Sequence, residues 1–137
     1  MNTTTLDEIN TYKKQQTRRI LMLFENDKLN SLFRELENIK ETYVELTVGS
    51  LDKNSKIQWT EYKEEYEKLG ERIESSGFQL IQMELIEEVI YSLMEMLDGY
   101  RNLNFEADII DKKTGESITK NIQLHDKYRD YIESKKK

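Results

Sequence analysis

The run Phe78-Gln-Leu-Ile-Gln-Met-Glu-Leu-Ile-Glu-Glu-Val-Ile-Tyr-Ser-Leu-Met-Glu-Met-Leu-Asp-Gly-Tyr100 is the longest and most apolar helical pattern in the chain. Ile86, Val89, Ile90, Leu93 and Leu97 recur at helical spacing and define a broad apolar face, so this helix is expected to be the spine of the core. Gly99 lies close to its end. Away from that face, Glu84, Glu88, Tyr91, Glu95 and Asp98 recur at intervals of 4, 3, 4 and 3. That spacing puts four carboxylates and one phenol along one side of the helix. Like charges so placed cost an isolated helix a few tenths of a kcal/mol per pair.

Upstream, Gln58 to Ser75 reads as a third helix with Trp59, Tyr62, Tyr66, Leu69 and Ile73 as its stripe, and Ser75-Ser76-Gly77 as a break. Before it, residues 48–56 have turn-forming composition. The N-terminal part contains two further helical patterns. Residues 5–24 begin with the capping box Thr5-Leu-Asp-Glu8 and carry Leu6, Ile9, Lys13, Gln16, Ile20 and Leu23 at 3,4,3,4,3 spacing. After Asn26-Asp27-Lys28, residues 29–46 carry Leu29, Leu32, Leu36, Ile39, Tyr43 and Leu46 at the same spacing, nearly uninterrupted by polar residues. Two helices across a short break predict a hairpin over residues 1–47.

Downstream of Tyr100 the period changes. Phe105, Ala107 and Ile109 alternate with Glu106 and Asp108, which is strand spacing. Asp111-Lys-Lys-Thr-Gly115-Glu116 is a turn signal, and Ser117 to Leu124 reads as a returning strand. Residues 126–134, with Tyr128, Tyr131 and Ile132, predict a short last helix, and Lys135-Lys-Lys137 a frayed tail. The expected fold is a single mainly α (α+β) domain over 1–137: a four-helix core with a β-hairpin over 104–124 and a short final helix. A two-stranded hairpin is marginal in water, so this one must pack on helices or pair with another strand.

Composition excludes several functions. The chain of 137 residues has no Cys, which removes disulfides and thiolate metal sites. It contains no apolar stretch of about 18 residues, so no membrane-spanning helix is expected. The most apolar short run, residues 20–24, is too short, and Met1 to Asn10 lacks the order of a signal peptide, so the expected compartment is the cytoplasm. The five glycines are dispersed, which removes phosphate-binding loops and dinucleotide fingerprints.

The net charge of -6 is unevenly placed. Residues 61–98 contain three basic and eleven acidic groups, whereas residues 1–24 contain four basic and two acidic ones. An acidic face is often only a solvated surface. The same face also steers basic proteins into contact, and Tyr91 at its centre is of a type common at interfaces. The expected partner-binding residues are therefore Glu84, Glu88, Tyr91, Glu95 and Asp98. Direct nucleic-acid binding is not expected, because the basic group Lys13, Lys14, Arg18 and Arg19 sits in an acidic chain without a recognisable binding module. The 29–46 stripe leaves a homodimer open.

No catalytic set is expected. His125 is the only histidine; it lies next to Asp126, but no G-x-S-x-G motif supplies a nucleophile, and a cap or surface role is the plainer reading. A carboxylate Mg²⁺ site is the enzymatic alternative, built from Glu61, Glu64, Glu95 and Asp98, with i,i+3 acids on two helices. That pattern resembles the acidic helices of all-alpha nucleotide pyrophosphohydrolases of the MazG type. It departs from them because Glu64-Glu65 follow the single Glu61.

The stretch from Glu84 to Ile132 resembles the end of small bacterial immunity proteins that accompany polymorphic toxins. The resemblance is carried by the apolar helix ending Asp98-Gly99-Tyr100, the segment Phe105 to Ile110, the turn Asp111 to Glu116, and Leu124-His125-Asp126 before Tyr128. It covers about a third of the chain and implies a cofactor-free inhibitor that binds a toxin domain. The expected function is thus an acidic immunity protein or antitoxin that neutralises a basic toxin or nuclease. A phage-encoded DNA-mimic inhibitor of a host nuclease would carry the same face.

Overall fold

The structure, a computed structural model, describes residues 5–25, 27–56 and 58–136, with the side chains of all of these except 18–25. Five helices organise it: α1 (Leu6–Glu25), α2 (Asp27–Gly49), α3 (Lys63–Gly70), α4 (Ser75–Leu97) and α5 (Leu124–Lys135). The core lies among α2, α4 and α5, where Leu29, Phe33, Ile90, Met94, Leu124, Tyr128 and Ile132 are buried together. Tyr128 meets Phe33 edge-on, with ring centroids 5.5 Å apart. Such pairs add about 0.5–1.5 kcal/mol beyond area burial.

The C-terminal β-hairpin and four-helix core expected from the sequence are corrected by this arrangement. Among the described residues there is no strand; Ile110 and Ser117 form one isolated antiparallel bridge. The turn itself does form. Gly115, at φ +74°, donates to the Asp111 carbonyl at 2.7 Å, and Asp111 N–H donates to the Glu116 carbonyl at 2.9 Å. Lys28 of α2 pins the turn through Asp111 at 2.9 Å and Glu116 at 2.5 Å. Pairing stops there: of the alternating residues Ile109 packs against the core and Ala107 is half-buried, but Phe105 at the far end is exposed. Asp108, instead of continuing a ladder, accepts side-chain hydrogen bonds from Ser117 and Thr119, which hold its carboxyl below the usual range.

The first helix starts as its capping box demands. Thr5 N–H donates to Glu8 Oε2 at 3.1 Å, and Glu8 N–H donates to Thr5 Oγ1 at 3.4 Å. The described part of its expected stripe does not seal against α2: Leu6 and Ile9 are exposed, as is Tyr12. Ile20 and Leu23 of that stripe, the run 20–24, and Arg18 and Arg19 of the basic group fall outside the described side chains, and Asn26 outside the described residues.

In α2 the buried stripe is Leu29, Phe33, Glu37, Lys40, Val44 and Thr47. Of the stripe read from the sequence only Leu29 is fully buried; Leu32 and Leu36 pack against the core edge, and Ile39 and Tyr43 are exposed. Two charged residues occupy the middle of the true buried face. Lys40 Nζ lies 2.9 Å from Glu37 Oε2 and 2.8 Å from Glu87 Oε1 of α4. Burial lowers the Lys40 ammonium, but the hydrogen bonds it donates to Glu87 and Glu37 outweigh that and hold the group above its ordinary value.

Helix α3 is shorter than its periodicity suggests and buries no residue. Trp59 precedes it, packs on Tyr43 and Tyr66, and donates from Nε1 to Ser50 Oγ at 2.8 Å. Gly70 ends it where the chain passes close to Leu51; a Cβ there would lie 2.2 Å from the Leu51 carbonyl oxygen. Ser75-Ser76-Gly77, read as a break, is instead the first turn of α4.

Candidate functional site

The fourth helix presents three sides, about a third of a turn apart at 100° per residue. One faces the core through Ile86, Ile90, Met94 and Leu97. A second carries the acidic stripe. The third is apolar and faces outward: Ile81, Leu85, Val89 and Leu93 are between 47% and 63% exposed. The sequence correctly makes α4 the spine but turns its core face too far, because Val89 and Leu93 belong to the outward side.

The lower half of the acidic stripe serves the fold. Helix α4 closes in a Schellman motif, with Gly99 at φ +87° donating to the Met96 carbonyl and Tyr100 N–H donating to the Glu95 carbonyl. This aims Asp98 at the start of α5. Its Oδ1 accepts from Leu124 N–H at 2.9 Å, and its Oδ2 accepts from His125 N–H at 2.8 Å and lies 2.5 Å from His125 Nδ1. The Asp98 side chain is only 6% exposed, so it caps α5 and cannot also meet a partner. His125 sits edge-on to Tyr91 and Tyr100, with centroids 5.6 and 5.0 Å away, and its Nε2 lies 3.4 Å from Asp126 Oδ1. The His125 ring is therefore packed and bonded as part of the α4–α5 joint.

Tyr91 belongs to the same joint. It packs against the core, and the Arg129 guanidinium of α5 stacks 4.2 Å from its ring centroid. Glu95 is half-buried and paired with Arg101 at 3.2 Å; the same guanidinium donates to Ser92 Oγ at 2.9 Å. Glu84 and Glu88 remain exposed and border the apolar stripe. Glu88, Val89, Ser92, Leu93, Met96 and Arg101 line a shallow open depression there. Of the five residues expected to bind a partner, the structure leaves Glu84 and Glu88 available and commits Tyr91, Glu95 and Asp98 to intramolecular contacts. The sequence missed Ile81, Leu85 and the outward role of Val89 and Leu93. The signal was present as an apolar arc too broad for one core to cover.

The alternative Mg²⁺ residues Glu61, Glu64, Glu95 and Asp98 are not brought together: no group of three or more His, Asp or Glu among the described residues is placed to hold a metal ion. Among the described residues no helix is long and apolar enough to cross a membrane. The chain matches no family model, no curated protein and no solved structure.

Proposed function

We propose that the chain is a protein-binding inhibitor, of the immunity-protein or antitoxin kind, which engages a basic partner through the outward side of α4. The observation that supports this is the pairing of an apolar stripe, Ile81, Leu85, Val89 and Leu93, with the exposed carboxylates of Glu84 and Glu88 on one helix. Apolar contact supplies the affinity of such an interface, and the carboxylates supply steering and partner choice. A helix with basic residues beside an apolar stripe is the complementary shape. The test is affinity capture from the native host at low salt, with the wild-type chain and the double variant Glu84→Lys/Glu88→Lys side by side. A basic protein retained by the wild type and lost by the variant is the expected result. Equal retention by both, or no specific retention, contradicts the reading.

A further inference from the structure

The shallow depression on the outward side of α4 has an apolar part and a charged part. Val89 and Leu93 are 52% and 47% exposed, and Met96 beside them is half-buried, so three apolar side chains lie open to solvent. Two charged residues border them, Glu88 and Arg101. The Arg101 guanidinium is already engaged: it donates to Ser92 Oγ at 2.9 Å and pairs with Glu95 Oε2 at 3.2 Å. Glu88 is exposed and has no ion pair or hydrogen-bonding partner for its carboxylate among the described residues.

Anything that covers Val89, Leu93 and Met96 also takes the Glu88 carboxylate out of water. A wholly apolar occupant leaves that carboxylate desolvated and unpaired, which is costly. An anionic occupant meets Glu88 and, one turn before it, the exposed Glu84, while the Arg101 charge is shared with Glu95. An apolar stem with a cationic head satisfies both parts. Lysine and arginine side chains have that form, burying their methylene stems along apolar surface while the head keeps a polar partner. We infer that the depression seats a lysine or arginine side chain of the partner, with its stem on Val89, Leu93 and Met96 and its head on Glu88. The inference rests on the reading of α4 as the face for a basic partner, and adds which side chain anchors the contact and where.

Titration of the full chain with n-butylguanidinium and with n-butylammonium, followed through its methyl resonances, tests it. The Val89, Leu93 and Met96 methyl signals should shift saturably with at least one of the two cations, at a Kd on the order of 10 mM for ligands of so few atoms. The tighter cation tells arginine from lysine. n-Butanol, which has the stem without the charge, should bind about three- to fivefold more weakly, the size expected for one exposed ion pair. Sodium chloride at equal ionic strength should leave the signals in place. Glu88→Gln should weaken cation binding by the same three- to fivefold. Glu41→Gln, which removes an equal charge from an exposed position outside the depression, should leave it unchanged. No saturable methyl shift with either cation, equal binding of n-butanol, or wild-type binding by Glu88→Gln overturns the inference. Its failure is separable from that of the proposed function. A basic host protein captured through Glu84 and Glu88, with no methyl shift, removes the anchor and keeps the face. Methyl shifts with no captured protein keep the cation seat and remove the proposed function.

Discussion

The first and last helices differ in burial: the shorter, α5, is built into the core, whereas the described side chains of the longer, α1, are not. Helix α5 has 12 residues and buries Leu124, Tyr128 and Ile132. Helix α1 has 20 residues, and its described side chains, those of residues 6–17, are exposed apart from half-buried Gln16. In isolation the longer helix would be the more stable, because nucleation cost is spread over more turns. Tertiary contacts reverse that order. Asp98 caps α5 from α4, Tyr128 fits against Phe33, and Arg129 stacks on Tyr91. Helix α1 has its own capping box and, among its described side chains, no comparable anchor. Packing, more than propensity, therefore decides how firmly α5 is held.

The comparison breaks most sharply at Tyr128. Tyr128→Ala should cost about 3–5 kcal/mol, read from the urea midpoint, as for other large buried aromatics. Lys40→Met should cost a similar amount, because it strands Glu37 and Glu87 without their shared cation; removing one member of a buried pair typically costs about 3–5 kcal/mol. Asp98→Ala should cost about 1–2 kcal/mol and fray the first turn of α5 in amide exchange, leaving α1 exchange unchanged.

Tyr128→Phe sharpens the same contrast in a different way. The Tyr128 hydroxyl and Glu37 Oε1 are buried beside each other, and neither makes a well-formed hydrogen bond among the described residues. Burial first, then the nearby Glu37 and Glu87 carboxylates, push the Tyr128 phenol well above its ordinary range. The folded chain thus keeps the proton after the unfolded chain releases it near pH 10, so stability falls as pH rises above about 10. Lys40, also held above its ordinary value, contributes stability that is likewise lost at high pH, as the ammonium deprotonates. Tyr128→Phe should change neutral-pH stability by less than about 1 kcal/mol and make the alkaline decline shallower. At the other end, Ile9→Ala in α1 should shift the monomer's midpoint by no more than about 0.5 kcal/mol.

Helix existence was legible in the sequence; helix facing was less so. The capping box at Thr5, the end of α4 at Gly99 and the turn at Gly115 all follow from local chemistry, and all three form. The faces of α2 and α4 depend on partners. Counting apolar residues in α2 selects Leu36, Ile39 and Tyr43 and passes over Glu37 and Lys40, because a buried ion pair looks like a solvated face until Glu87 is placed beside it. The alternation at residues 105–109 failed for a related reason. Period-2 spacing becomes a ladder only with a continuous partner strand: Ile109 packs against the core, but Phe105 stays in solvent, and Asp108 accepts hydrogen bonds from the Ser117 and Thr119 side chains instead. The spacing places Asp98 in a binding stripe, because its use as a cap depends on α5, 26 residues further on.

Val89 and Ile90 are neighbours in sequence, 52% and 6% exposed respectively, and they lie on the outward and inward sides of α4. Urea unfolding of Val89→Asp and Ile90→Asp, at protein concentrations where the wild-type chain is monomeric, compares those two sides most directly. The Val89 variant should keep the wild-type midpoint within about 0.5 kcal/mol, while the Ile90 variant loses several kcal/mol or fails to fold. Equal, severe losses in both variants would put the whole apolar arc of α4 inside the core and leave no outward surface for a partner.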